Sequence, residues 1–401
     1  MIKPRSFTAR IFRGSLSLLI ASTLLATATA TPRTRNSFNR DWRFTRNDPT
    51  GNIVKFDYAT VQPWLRPMGA ELLNCGHQTL SRPNENLGEG VPYTLPAFID
   101  TSWRALDIPH DWAIEGPFDQ KISGETGKLP WVGVGWYRKH FIAPSLDGGQ
   151  RLSLQFDGAM AHALVWCNGQ FVGGWPYGYT SWQVDLTPTI KPGTENVIAV
   201  RVENLPDSSR WYPGSGLYRS VWLEKTSPIH VAPWGIAITT PTVNVDGATV
   251  NIATEVHDST GNAEATKIKH KVWETDPSLR EAIVTHRIFK TNHLGLAIGE
   301  PVATSDPFAV SVHDGYSALA TASLTVPHPK RWSIESPTQY LLETTVGVSG
   351  EVVDRVETLF GIRTARFDAA LGFLLNDQIV KLQGVCLHEG CFWMKQESSR
   401  K

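Results

Sequence analysis

Asn168-Gly169 stands between two short runs, Val165-Trp166-Cys167 and Gln170-Phe171-Val172, an order that reads as a two-residue β-hairpin. Such a turn needs positive φ at its central residues and fixes the antiparallel register of the strands it joins. The theme recurs along the chain. Leu152, Leu154 and Phe156 alternate with polar neighbours, Val197 to Val202 forms another strand-like run, and Gly, Pro, Asn and Asp punctuate residues 36–223. Many short antiparallel strands must each bury one face, and a second sheet is the simplest cover. An all-β domain built as a β-sandwich is therefore expected over residues 31–228.

A second all-β unit is expected over residues 229–362. Val250, Ile252, Thr254 and Val256 point one way, and Ala320, Ala322, Leu324 and Val326 repeat the pattern, as do Leu342, Thr344 and Val346. This spacing suits an immunoglobulin-like sandwich. Between Asp276 and Pro307 the pattern is irregular and no strands are assigned. Beyond Ile362, Phe373-Leu374-Leu375 and Ile379-Val380-Lys381-Leu382 flank Asn376-Asp377-Gln378 as a hairpin. Leu382 to Leu387 is mostly apolar and suits a strand buried on both faces, like the first strand of a parallel barrel. A complete barrel takes about 250 residues, so residues 363–401 are expected to be only its start.

The first thirty residues read as an export signal. Lys3, Arg5, Arg10 and Arg13 precede an apolar run through Leu16, Leu18, Leu19, Ile20, Leu24 and Leu25, and Ala28-Thr29-Ala30 suits cleavage after Ala30. The run is shorter than the roughly 20 residues that span a bilayer, so a periplasmic or extracellular protein without a membrane anchor is expected. Lys plus Arg and Asp plus Glu both number 38. A formal charge of zero provides no basic field for nucleic acid or an anionic membrane. The four cysteines, Cys75, Cys167, Cys386 and Cys391, are too irregularly spaced for a disulfide framework or a paired metal-ligand pattern. Cys167 and Cys386 sit in apolar runs and read as buried thiols. No metal or other cofactor is expected.

Four ordered stretches carry a family resemblance: Pro109-His110-Asp111-Trp112 through Phe118, Gly124 through Lys139, Trp166 through Trp182, and Trp211-Tyr212-Pro213-Gly214-Ser215-Gly216-Leu217-Tyr218-Arg219. Together they resemble the N-terminal half of glycoside hydrolase family 2, the family of the β-galactosidases, β-glucuronidases and β-mannosidases. Phe360-Gly361-Ile362-Arg363, Gly372 to Asn376 and Lys381 to Gly390 are similar to the entrance of that family's catalytic barrel. The resemblance extends from Phe38 to Gly390. It implies a mainly β chain: a jelly-roll-like sugar-binding β-sandwich, an immunoglobulin-like sandwich, then the first strand region of a TIM barrel. It also implies hydrolysis of O-glycosyl bonds in terminal β-galactosides or related β-linked sugars. A non-catalytic carbohydrate-binding or remnant fragment is the alternative.

Retaining glycosidases place two carboxyl groups about 5 to 5.5 Å apart, one protonating the leaving oxygen while the other attacks the anomeric carbon. The resemblance implies that both are glutamates on later barrel strands, with no counterpart in these residues, so no catalytic residue is assigned. Gly214 and Gly216 allow a sharp turn that can present Arg210, Trp211 and Tyr212 outward. Taken alone, Trp211 and Tyr212 more simply pack the sandwich edge; the resemblance makes Arg210 and Trp211 sugar contacts, because in relatives this loop reaches the mouth of the barrel. His388 follows an apolar run, and the resemblance implies a hydrogen bond to a sugar hydroxyl, against a packed or solvated histidine. Glu389 reads as an exposed carboxylate. Among the fifteen tryptophans, Trp42, Trp103, Trp112, Trp136, Trp166 and Trp222 are expected to pack core or edge, with Trp131, Trp175 and Trp182 unassigned.

Overall fold

A computed structural model describes residues 32–72, 82–206, 208, 213–260 and 279–385. The expected export signal, the barrel-entry residues from 386 onward, and Cys75, Cys386 and Cys391 lie outside them.

The first sandwich contains Thr34–Ser37 (β1), Trp42–Arg46 (β2), helix Tyr58–Leu72 (α1), Arg104–Leu106 (β3), Gly133–Ile142 (β4), Arg151–Phe156 (β5), Ala163–Cys167 (β6), Gln170–Trp175 (β7), Trp182–Asp185 (β8), Glu195–Asn204 (β9) and Val221–Thr226 (β10). One sheet runs β3-β2-β4-β9-β6-β7 and the other β1-β10-β5-β8. The predicted hairpin joins β6 to β7, with Asn168 at φ 52° and Gly169 at φ 85°. Leu152, Leu154, Phe156, Trp182, Val200 and Val202 fill the space between the sheets. Phe156 and Trp182, paired across β5 and β8, stack with centroids 4.4 Å apart.

The larger sheet is covered on its outer face as well. Trp136, Leu164, Trp166 and Ala199 project there against Phe56, Val61, Leu65, Leu87, Val91 and Trp103 from residues 56–103. This double cover explains why all five residues of β6 are buried. Trp103, Trp136 and Trp166 lie under this outer cover and Trp42, Trp112, Trp131 and Trp182 in the core between the sheets, while Trp175 and Trp222 are half-buried. Cys167 is buried as expected, which pushes its thiol up to about 11.

The covering segment corrects the purely β expectation for residues 36–223, because it includes α1. Pro63 and Pro67 lie inside that helix and remove two backbone donors, which sequence reasoning counts heavily against a helix. Val61, Leu65 and Met68, spaced at helical intervals, are nevertheless buried against the sandwich, so tertiary burial overrides the local penalty.

The second sandwich contains Ile229–Val243 (β11), Gly247–Asp258 (β12), Leu279–Thr291 (β13), Ala297–Thr304 (β14), Phe308–His313 (β15), Ser317–Pro327 (β16), Tyr340–Val348 (β17) and Glu351–Phe360 (β18). Sheet β11-β12-β16 faces sheet β14-β13-β17-β18, with β15 also paired to β13. The expected inward positions of β12 and β17 are buried. The region 276–307, left without strands by sequence, holds β13 and β14. β13 alternates Ala282, Val284, His286 and Ile288 inward, and a histidine and an alanine at two of those four positions blur its pattern.

An ion pair holds the sandwiches together. Arg33 Nε and Nη2 donate to the two oxygens of the fully buried Asp354 at 3.2 and 3.0 Å, and Nη1 donates to Glu224 at 3.3 Å. Asp354 also accepts from Val231 N at 2.8 Å. Removing one partner of a buried pair leaves an uncompensated charge, so Arg33→Ala is expected to weaken the junction by about 3 kcal/mol. In scanning calorimetry the variant should show the two sandwiches melting at more widely separated temperatures; a thermogram identical to wild type would refute this.

Residues beyond Ile362 form a small sheet of Ala365–Asp368 (β19), Gly372–Leu375 (β20) and Gln378–Ile379 (β21), with Asn376 and Asp377 at positive φ in the predicted turn. The expected barrel strand from Leu382 is not formed in its described part. Leu382 and Val385 are exposed, and among the described residues no strand pairs with them. An apolar run becomes a buried strand only where neighbours take up its backbone hydrogen bonds. No helix among the described residues is long and apolar enough to cross a membrane.

Candidate functional site

At one end of the first sandwich, β2 and β9 finish, β6 begins and β7 finishes, so the loops following β2, β7 and β9 and preceding β6 converge. Backbone bonds fix their arrangement. Met160 and Gly216 exchange hydrogen bonds at 2.9 and 3.0 Å, Glu203 N donates to Ala161 O at 2.8 Å, and His162 N donates to Pro176 O at 3.2 Å. Gly216 has φ +103°, and a Cβ there would lie 2.2 Å from the Tyr137 hydroxyl and 2.8 Å from His110 O. Glycine is therefore required on both conformational and steric grounds.

The loop after β7 is held equally firmly. Tyr218 Oη donates to Gly178 O at 2.8 Å and Trp175 Nε1 to Thr180 Oγ1 at 3.0 Å. These contacts leave Tyr177 and Tyr179 exposed, their rings 5.5 Å apart. By contrast, His110, Trp112 and Glu115 of the Pro109–Phe118 stretch pack and pair within the sandwich. His110 is buried against Tyr137 at 2.8 Å, and Trp112 stacks on Phe44. Glu115 receives two bonds from Arg104 at 2.6 and 2.7 Å.

A cavity of about 300 Å3 opens at this end, lined by Asp48, Lys55–Tyr58, His162, Arg201, Glu203 and Leu205 together with Val54. Arg201 organises it. Its Nε and Nη2 grip Asp48 at 2.8 and 2.9 Å, and its Nη1 donates to Glu203 Oε2 at 2.8 Å. Phe56 lies against the same guanidinium, 4.9 Å from ring centroid to Cζ. Trp136 Nε1 donates to Asp48 at 2.8 Å.

The charges of the cavity follow from these contacts. Burial alone would raise the Asp48 carboxyl, but the bonds and charge of Arg201 outweigh it and hold the group below its ordinary value. Arg201 is held above its ordinary value because the two carboxylates outweigh its own desolvation. Burial pushes His162 down, with Glu203 opposing, so its imidazole is neutral at pH 7. The site thus offers a flat aromatic ring, an uncharged imidazole and a carboxylate–guanidinium array, which together suit hydroxyl groups and C–H faces.

Arg210, Trp211 and His388, the three expected sugar contacts, lie outside the described residues. Leu205 lines the cavity, and Asn204 Nδ2 donates to Gly214 O at 3.0 Å. Asp48, His162, Arg201 and Glu203 escaped sequence reasoning. Arg201 and Glu203 did carry a signal, since two charges at i and i+2 in a strand rich in valine must face the same way. Asp48 and His162 carried none, being joined to them only by folding.

A larger groove of about 550 Å3 lies beside the second sandwich, bordered by Thr240, Trp332, Gln339, Leu359 and Arg363 among others. No carboxylate or histidine lines it, so its lining has no group suited to proton transfer near neutral pH. No group of three or more potential metal ligands occurs among the described residues.

Residues 100–227 match the sugar binding domain of glycosyl hydrolases family 2, and residues 229–363 match the following domain of the same family. A β-galactosidase of Bacteroides ovatus is 37% identical over 366 residues, covering 90% of this chain and 35% of that protein. A β-glucuronidase of Formosa agariphila is 26% identical over 310 residues, 72% of this chain and 29% of that protein. The crystal structure of a family 2 member from Bacteroides cellulosilyticus superposes with a TM-score of 0.66 at 28% identity, covering 88% of this chain and 40% of that one. A β-glycosidase from Bacteroides vulgatus gives 0.63 at 26% identity, covering 88% and 37%. The chain spans about a third of the length of the curated relatives it matches.

Proposed function

Because this chain belongs to glycoside hydrolase family 2, we propose that it represents the sugar-holding part of an exported retaining β-glycosidase acting on terminal β-galactosides. The observation that carries this reading is the 37% identity to the Bacteroides ovatus β-galactosidase over 90% of the chain. A putative β-glucuronidase of Formosa agariphila is 34% identical over 293 residues, so the choice of a galactoside over a glucuronide rests on the longer match at higher identity. Export rests on the basic and apolar opening of the sequence.

The reaction requires one carboxylic acid to protonate the glycosidic oxygen and one carboxylate to attack the anomeric carbon, through an oxocarbenium-like transition state. We assign both to the part of the relatives' length that this chain does not span. In this reading the first sandwich is the wall that orients the sugar, with Arg210, Trp211 and His388 as its expected contacts to hydroxyls and ring faces.

Nitrophenol release tests this proposal. A chain lengthened by the reading frame that follows Lys401 is expected to hydrolyse nitrophenyl β-galactoside faster than the β-glucuronide or β-mannoside, and residues 31–401 alone should hydrolyse none. Turnover by the shorter chain would overturn the placement of the carboxylates. Faster β-glucuronide hydrolysis would overturn the choice of sugar. Sugar binding without turnover by the longer chain would favour a carbohydrate-binding protein.

A further inference from the structure

We propose that the cavity built around Arg201 and Glu203 binds a neutral, hydroxyl-rich sugar unit and rejects sugars that carry a carboxylate. The choice of a sugar as ligand rests on the glycosidase reading above, whereas the preference for a neutral one follows from the charges that line the cavity.

Five charged side chains line it: Asp48, Asp57 and Glu203 against Lys55 and Arg201. Each cation has a carboxylate beside it, so neither offers an uncompensated charge to an incoming anion. Arg201 is already shared between Asp48 and Glu203, with Nε, Nη1 and Nη2 all donating to carboxylates. Lys55 is exposed and next but one to Asp57. A uronate entering here would meet a net negative lining of three carboxylates against two cations.

For a neutral sugar the same groups are useful. Glu203 Oε2 is occupied by Arg201, while Oε1 accepts no hydrogen bond among the described residues. Arg201 spends three of its five N–H groups on Asp48 and Glu203, leaving two for ligand oxygens. The His162 ring, 6.3 Å from the Tyr58 ring between centroids, makes no hydrogen bond among the described residues. Acceptor, donor and imidazole therefore converge above Phe56, with the 43% exposed Tyr58 at the rim. The volume of about 300 Å3 lies at the lower end of the small-molecule range, the scale of a single ring.

Arg201 and Glu203 are also built into the sheet, not merely displayed on it. They lie on β9, whose Arg201 is 3% exposed and pairs in register with Leu164 and Trp136. This gives the polar array a fixed geometry before any ligand arrives, which lowers the ordering cost of binding.

Saturation-transfer NMR on the full chain, with methyl β-galactoside and methyl β-glucuronide as probes at equal ionic strength, tests the proposal. The galactoside is expected to bind about tenfold or more tightly than the glucuronide, and Glu203→Gln to bring the two to within about threefold by removing a repelling charge. Tyr58→Ala, at an exposed position, should weaken the galactoside by about threefold or more through loss of its ring face. Equal or tighter glucuronide binding by the wild type would overturn the proposal, as would galactoside binding that Tyr58→Ala leaves unchanged. Should Glu203→Gln not fold, the wild-type comparison and Tyr58→Ala still decide. Hydrolysis of β-galactosides by the lengthened chain without binding at this cavity would defeat this inference alone. Selective neutral-sugar binding without hydrolysis would defeat the glycosidase reading and leave the cavity's preference standing.

Discussion

Arg138→Met is expected to destabilise the first sandwich by about 3–5 kcal/mol and to lower its melting temperature by roughly 6–20 °C. Arg138 lies on β4 with its side chain fully buried. Nε donates to Asp100 Oδ2 at 2.8 Å, Nη1 to Tyr93 O and Nη2 to Phe98 O. One guanidinium thus ties the covering segment to the sheet and satisfies two of its carbonyls. Burial alone would raise the Asp100 carboxyl, but Arg138 and His140 outweigh it and hold the group below its ordinary value. Methionine restores much of the apolar stem but leaves Asp100 with only the half-exposed His140 at 3.1 Å. Calorimetric melting is the measurement, and an unchanged midpoint would mean that the covering segment is held by its aromatic contacts alone.

Acid should destabilise the protein before its carboxylates titrate. Burial pushes His110, His230 and His286 down to about 4 each, with Arg33 and His257 adding to the effect at His230. A histidine whose folded pKa lies below its unfolded value of about 6.5 binds protons preferentially in the unfolded chain. Its stabilising contribution is therefore complete above about pH 6.5 and lost progressively as pH falls toward 4. Each site is worth up to about 3 kcal/mol by pH 4, so the three together amount to a large share of a domain's ordinary 5–15 kcal/mol. Urea unfolding followed from pH 7.5 to 4.5 should show stability falling steadily below pH 6.5. His286→Gln should flatten the part of that fall that belongs to the second sandwich. A flat profile down to pH 5 would show that these histidines are protonated in the folded protein.

These groups also mark the limits of sequence reading. The Asn168-Gly169 turn, the alternating positions of β12 and β17, and the Asn376-Asp377 turn were legible because each depends on local backbone chemistry or on a period of two. α1 was missed because Pro63 and Pro67 are decisive locally, while the burial of Val61, Leu65 and Met68 that overrides them depends on distant strands. β13 was missed because His286 occupies an inward position whose backbone N bonds Ser305 Oγ and whose ring bonds Thr344, partners 19 and 58 residues away.

The family signatures include Gly216 and the tyrosine loop at one end of the first sandwich, but not the groups that line the cavity there. Gly216 could be assigned to a sharp turn from its residue type, whereas the 2.2 Å approach of the Tyr137 hydroxyl to its missing Cβ could not. The sequence by itself determined the fold class, the turns and the family, since these rest on residue-by-residue backbone preferences, hydrophobic period and ordered motifs. Only the tertiary structure decided that Asp48, 153 residues from Arg201, would share its guanidinium with Glu203 beside His162. A charge in a sequence carries its sign but not its partner, and burial and pairing are properties of the space between strands.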